Sequence, residues 1–275
     1  MEIATRGSSC EAPVTVSALD EKTLKSLLDF SIDAAREAGA LTLRYFQTGT
    51  AVELKADRSP VTAADRGAEE LLRRRIEREF PTHGIVGEEH GVKTGSESAR
   101  WIVDPIDGTF SFVCGVPLYA VLIGFEWEGE AVSGVIYMPA LSEMVAAARG
   151  LGCTWNGRPA RVSETSALSD ATLVYSSAKW SAENGRGAEF SRLLAATGKD
   201  RGWCDAYGYA LVATGRAEIA LDPVMGLWDI AALHPVLVEA GGTLTDWNGV
   251  STHTASEALA TNGRLLEPAL RAMRG

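Results

Sequence analysis

The order of hydrophobic patterns along the chain narrows the fold more than any single motif. Between Asp20 and Phe46, Leu24, Leu27, Leu28, Ile32, Ala35, Ala38, Leu41 and Tyr45 recur at three- and four-residue spacing, the stripe of a long amphipathic helix. Gly49 lies just past its end. A short β segment over Val52 to Lys55 leads to a second helix from about Thr62 to Phe80, with Leu71, Leu72, Ile76 and Phe80 on its apolar side. Thr62-Ala63-Ala64-Asp65 has the form of a capping box, and Pro81 closes the helix. The pattern then changes to short β-like runs: Gly84 to Val86, Trp101 to Val103, Leu118 to Glu126, Glu130 to Met138 and Glu143 to Ala148. Asn156-Gly157 after Trp155 is a hairpin signal.

Beyond about Val162 strands and helices alternate. We expect a strand near Leu173 to Ser176, helices near Glu189 to Ala196 and Ala206 to Thr214, and a strand from Glu218 to Asp222. A helix over Trp228 to Ala240 should stop at Gly241-Gly242 before a strand at Leu244 to Asp246. The pattern therefore divides into a lead over residues 1–19, an α+β half over 20–162 and an α/β half over 163–275, layered and packed as one unit with no Pro/Gly-rich linker.

Composition limits the function classes. Apolar residues make up 46% of the 275, enough to bury a core, and 26 basic against 36 acidic residues leave a net charge of -10. That surplus repels a nucleic-acid backbone, and no Lys/Arg run offsets it. No segment has the apolar length of a signal peptide or membrane span, so a cytoplasmic protein is expected. Cys10, Cys114, Cys153 and Cys204 lack metal-ligand spacing and read as free thiols. His83, His90, His234 and His253 also lack it, although His90 adjoins a glutamate pair.

Carboxylates carry the chemistry. Asp65 opens the second helix, Glu88 and Glu89 follow a strand at Gly87, Asp104 and Asp107 follow another, and Asp229 opens a helix after Trp228. Hard divalent cations take such oxygen ligands, and phosphoryl transfer uses them in sets drawn from separate segments. In Asp104-Pro105-Ile106-Asp107-Gly108-Thr109, Pro105 fixes a turn that lets both aspartates and the Ile106 carbonyl face one ion. Gly108 leaves room for a phosphate, the Gly108 and Thr109 N–H groups can cradle it, and the Thr109 hydroxyl can orient a water. An ordinary Asp-rich turn is the plainer reading of that segment alone, and Asp65 alone could simply favour the helix dipole.

Four motifs together resemble the inositol-monophosphatase superfamily over nearly the whole chain: Trp101 to Phe112, Trp228 to Ala232 followed by Glu239 to Gly242, Gly87-Glu88-Glu89, and Asp57 to Asp65. The resemblance implies an αβαβα sandwich and a homodimer that is sensitive to lithium. It also implies two to three magnesium ions. Glu88, Asp104, the Ile106 carbonyl and Asp107 would hold the first, Asp104, Asp107 and Asp229 would share a second, and Asp65 would help to bind a third. Glu88 with Thr109 would activate the attacking water, and Asp229 would also meet the leaving-group side.

The substrate is read from the second half. Asp205 to Ala210, Asp222-Pro223-Val224-Met225, Gly115 to Leu118 and Gly134 to Pro139 resemble the histidinol-phosphate phosphatase branch. Cys204, where that branch often has glycine, and Phe110-Ser111 depart from it. Histidinol phosphate carries an ammonium and an imidazole, which suit Asp205 and Asp222, whereas an inositol ring asks only for hydroxyl partners. Asp205 has a helix N-cap as an alternative or additional role. The expected reaction is hydrolysis of L-histidinol phosphate, a step of histidine biosynthesis, with no covalent enzyme intermediate. An inositol or broader sugar phosphate is the alternative substrate, and a non-catalytic phosphate- or metal-binding protein the alternative class.

Overall fold

The computed structural model describes residues 19–55, 60–203 and 205–275. Most of the N-terminal lead, with Cys10, and also Asp57 and Cys204 lie outside the described residues.

Helix α1 (Glu21–Thr42) begins where Asp20 Oδ1 accepts the Thr23 N–H at 2.7 Å, and it buries Leu24, Leu27, Ala34, Ala35 and Ala38. It stops short of the expected Phe46, and the chain turns as far as Gly49, whose φ is +75°. Strands β1 (Val52–Leu54) and β2 (Pro60–Thr62) form a small antiparallel pair ahead of α2 (Ala63–Glu79), which starts at the capping box of Thr62 and Asp65.

There follow β3 (Gly84–Gly87), β4 (Gly91–Lys93), β5 (Ala99–Asp107), the short helix α3 (Thr109–Val113), β6 (Ala120–Trp127), β7 (Glu130–Met138), β8 (Glu143–Ala148), β9 (Gly152–Trp155) and β10 (Arg158–Ala160). They build one sheet in the order β10-β9-β8-β7-β6-β5-β3-β4. Asn156 and Gly157 both take positive φ between β9 and β10, as an Asn-Gly hairpin turn requires.

The rest of the chain supplies β11 (Thr172–Tyr175), α4 (Ala178–Glu183), α5 (Gly187–Ala196), β12 (Lys199–Arg201), α6 (Ala206–Ala213), β13 (Ile219–Asp222), α7 (Leu227–Ile230), α8 (Leu233–Glu239), β14 (Thr243–Thr245), β15 (Ala258–Thr261) and α9 (Leu266–Arg274). Its sheet runs β12-β11-β13-β15-β14, parallel through β13 and antiparallel beyond it.

Alternating burial explains the layering. One face of the large sheet, through Trp101, Val103, Val121 and Ile123, packs on α1 and α2. The other, through Leu122, Ile136 and Val145, packs on α6 and α8, which reach the second sheet at Val174, Ala220 and Ala260. The far face of that sheet, at Leu173, Ile219 and Leu259, closes on α5 and α9. The result is the expected αβαβα sandwich.

The expected helix over Trp228 to Ala240 is two short ones. Pro235 has no N–H for the Ala231 carbonyl, so the ladder breaks between α7 and α8. That junction lies directly on the large sheet, since a Cβ at Gly134 would stand 2.0 Å from the Ala232 carbonyl oxygen. The close approach brings α7, and with it Asp229, against β5.

Candidate metal and phosphate site

Strand β5 pairs with β6 in register as far as Asp104, and the register shifts before Asp107. The ladder is irregular between the two aspartates, Asp104 still pairing with Leu122 and Asp107 with Ala120 on either side of the shift. Asp104 Oδ1 accepts the Ile106 N–H at 2.9 Å, which tightens the Pro105 turn. Gly108 then takes φ +79° and starts α3.

Asp104, Asp107 and Asp229 each place a carboxylate oxygen within 4.8 Å of the others. Asp104 is 2% exposed. Asp229 is held by the Gly226 N–H, which donates to its Oδ2 at 2.6 Å. Burial pushes the Asp104 and Asp107 carboxyls well above the usual range; Glu88, Asp107 and Asp229 add to this at Asp104, and Asp205 and Asp229 at Asp107. Burial also pushes Asp229 up to about 7, with Glu88 and Asp205 contributing. Crowded, desolvated carboxylates of this kind fit a hard divalent cation, which takes oxygen ligands and relieves their repulsion.

Glu88 lies close enough to raise Asp104 and Asp229, but it stands outside the compact trio. Lys55 Nζ donates to Glu88 Oε1 at 2.6 Å and to Glu89 Oε1 at 2.5 Å. Burial works against the lysine charge, yet the two carboxylates hold its pKa above the usual value. Lys55 was not legible as a site residue, because a lysine at a strand end gives no local signal of what it meets.

Glu69 is a second residue that the motifs do not reveal. It is wholly buried on α2, and its oxygens accept the N–H groups of Glu89 at 2.7 Å and His90 at 3.1 Å, with Arg73 Nε donating at 2.7 Å. A Cβ at Gly87 would meet Glu69 Oε1 at 2.1 Å, which accounts for the glycine. His90 thus takes part through its backbone.

Asp65 is wholly buried. Its Oδ2 accepts from the Thr62 N–H at 2.8 Å and the Thr62 hydroxyl at 2.6 Å, and its Oδ1 lies 3.3 Å from the Thr109 hydroxyl. Thr109 Oγ1 also reaches the Ile106 carbonyl at 3.1 Å. The Thr109 hydroxyl thus has both Asp65 Oδ1 and the Ile106 carbonyl within reach.

On the opposite side, Asp107 Oδ2 accepts the Ala206 N–H at 2.7 Å, tying β5 to the start of α6. Asp205 stands at the N-cap position of that helix but makes no side-chain capping hydrogen bond to it. Its Oδ2 instead lies 2.6 Å from where a Gly108 Cβ would be. Its backbone is unusual, with φ 54° and ψ -149°, a region that costs a non-glycine residue on the order of 1–3 kcal/mol. Asp222 sits deeper. Its Oδ1 accepts the Ser176 N–H at 3.1 Å and its Oδ2 the Tyr209 hydroxyl at 3.0 Å, and burial pushes its carboxyl up to about 7. Asp205 thus faces the Gly108 turn, while Asp222 joins β11 to α6.

The four histidines make other contacts. His83 accepts the Trp101 indole N–H at 3.0 Å, His253 pairs with Glu126 at 3.0 Å, and His234 meets the Ser251 hydroxyl at 3.0 Å. Trp228 packs on Val86 and Ile102. Cys153 is buried and Cys114 exposed, both as thiols. No helix among the described residues is long and apolar enough to cross a membrane.

Similarity to known proteins agrees with this geometry. The chain is 43% identical to a histidinol-phosphatase of Chlorobaculum parvum over 235 residues, 85% of this chain and 91% of that one. It is 40% identical to a histidinol-phosphatase of Mycobacterium tuberculosis over 237 residues, 84% and 88% of the two chains. The structure of an inositol monophosphatase from Anabaena superposes with a TM-score of 0.81 at 34% identity, covering 92% of this chain and 96% of that one. With the model of the inositol monophosphatase family matching residues 23–274, the chain belongs to that family.

Proposed function

We propose that the protein hydrolyses L-histidinol phosphate to L-histidinol and phosphate in a magnesium-dependent reaction. The observation that carries the substrate assignment is the Asp205 carboxylate, set against Gly108 beside the three clustered aspartates. An anionic wall next to a phosphate site favours an ester that carries its own cation. The names of the relatives at 43% and 40% identity support the same substrate.

Asp104, Asp107 and Asp229 would hold two ions, joined by Glu88 and the Ile106 carbonyl, with Asp65 beside a third. Bound magnesium supplies positive charge to the phosphate oxygens and lets a water lose its proton near neutral pH. Thr109 orients that water. With its hydroxyl proton directed to Asp65 Oδ1, its oxygen is free to accept from the water on the phosphate side. The Gly108 and Thr109 N–H groups bind the phosphate from the start of α3. Asp229 faces the leaving oxygen, and Asp205 takes the ammonium or imidazole of the departing alcohol.

The deciding experiment is a steady-state comparison of phosphate esters with saturating magnesium. The proposal requires kcat/KM for L-histidinol phosphate to exceed that for inositol 1-phosphate and glycerol 2-phosphate. A clear preference for inositol 1-phosphate would instead assign the inositol-phosphatase reaction.

A further inference from the structure

Asp205 occupies a backbone region that aspartate disfavours, so something must hold it there. Three anchors surround it. The Asp205 N–H donates to the Ser176 hydroxyl at 3.0 Å, and the next N–H, of Ala206, donates to Asp107 Oδ2 at 2.7 Å. Ser176 is in turn fixed by its own N–H on Asp222 Oδ1, and the other Asp222 oxygen accepts from Tyr209 within α6. The Asp205 carbonyl accepts the Gly208 N–H at 3.0 Å. A glycine would satisfy the same backbone bonds without conformational cost, yet the chain carries a carboxylate there.

We infer that the Asp205 turn is a strained positioning device. Ser176 and Asp107 hold its backbone in the disfavoured conformation, and the strain is retained because it is what carries the carboxylate to the face of Gly108. Relaxing φ to negative values would swing the Cβ away from that glycine. Ser176 is then a positioning residue for substrate choice, acting through Asp205 without touching the ester. The identity of the cation that meets Asp205 rests on the proposed function; the strain does not.

Two measurements test this independently. The first compares thermal midpoints of Asp205→Gly and Asp205→Ala in the full chain. Both remove the charge, but only glycine removes the conformational cost. Alanine is normally the more stable of the two because glycine loses more freedom on folding. Here Asp205→Gly should melt about 2–4 °C above Asp205→Ala. An alanine variant as stable as the glycine variant, or more so, overturns the strain.

The second measures the ratio of kcat/KM for L-histidinol phosphate to that for glycerol 2-phosphate. Ser176→Ala should lower it about tenfold, the scale expected of a small misplacement of a binding group, and Ser176→Thr, which keeps the hydroxyl, should restore most of it. If Asp205→Asn lowers the ratio and Ser176→Ala does not, the positioning role of Ser176 is wrong. If Asp205→Asn leaves the ratio unchanged, the substrate assignment fails, and the glycine–alanine comparison still decides the strain.

Discussion

The Thr109 hydroxyl lies 3.3 Å from Asp65 Oδ1, joining residues 44 positions apart in sequence. This contact makes one working unit of the capped start of α2 and the turn after β5. Thr109→Ala and Asp65→Asn should each lower kcat by about 10²–10⁴, and the double variant should lose little more than the worse single one, because both changes remove the same proton path. Asp65→Asn should also lose about 1 kcal/mol of stability from the capping box, which Thr109→Ala should not. Strictly additive losses in kcat would show that the two act separately.

Lys55 predicts a competition. Its ammonium neutralises Glu88 and Glu89, so a cation that needs Glu88 must displace it or share the carboxylate. Lys55→Met should lower the melting midpoint without metal, since two half-buried glutamates then repel each other. The same variant should bind magnesium several-fold more tightly by titration calorimetry. Weaker magnesium binding would mean that Lys55 organises Glu88 and does not compete for it.

Glu69 should act on the same carboxylate from behind. Glu69→Gln keeps the shape but turns one of its two acceptors into a donor facing the Glu89 and His90 N–H groups. The turn should then loosen and magnesium affinity fall about tenfold, the usual scale for a residue that orients a ligand. Unchanged affinity in a folded Glu69→Gln variant would remove Glu69 from that role.

Most of the fold was legible because the elements that define it carry strong periodicity. The α1 stripe, the β7 and β8 runs and the Asn156-Gly157 turn lie within a few residues of their expected places. The carboxylate trio was legible because each aspartate stands near the end of an element: Asp107 closes β5, Asp104 precedes its irregularity and Asp229 lies in the first turn of α7. What escaped was relational. Lys55 and Glu69 act through partners 33 and 20 residues away, and nothing in their neighbourhood marks them. The strain at Asp205 was equally hidden, since local sequence suggested a helix cap and only the packing of Gly108 and Ser176 sets its backbone. Pro235 was a visible warning that α7 and α8 would not be continuous.

The raised carboxyls set a pH dependence whose sign is fixed. Asp229 and Asp222 keep a proton in the folded protein up to about 7, whereas in the unfolded chain they lose it near the ordinary aspartate value. Between those limits the folded state binds more protons, so stability without metal should fall as pH rises from about 4 to 7. His234 works in the opposite direction: burial pushes it down to about 4, so its contribution is lost as pH falls from about 6.5 toward 4. A His234→Asn background removes the larger of the two histidine effects, burial also pushing His83 down. Magnesium held as proposed by the aspartate trio must displace protons from it, so its binding should release protons, and the rise it causes in the melting midpoint should be larger at pH 7.5 than at pH 5.5. Scanning calorimetry of that background with and without magnesium at the two pH values checks both signs. A metal-free midpoint that climbs with pH, or a magnesium shift independent of pH, would mean that the aspartate cluster is already ionised in the folded protein.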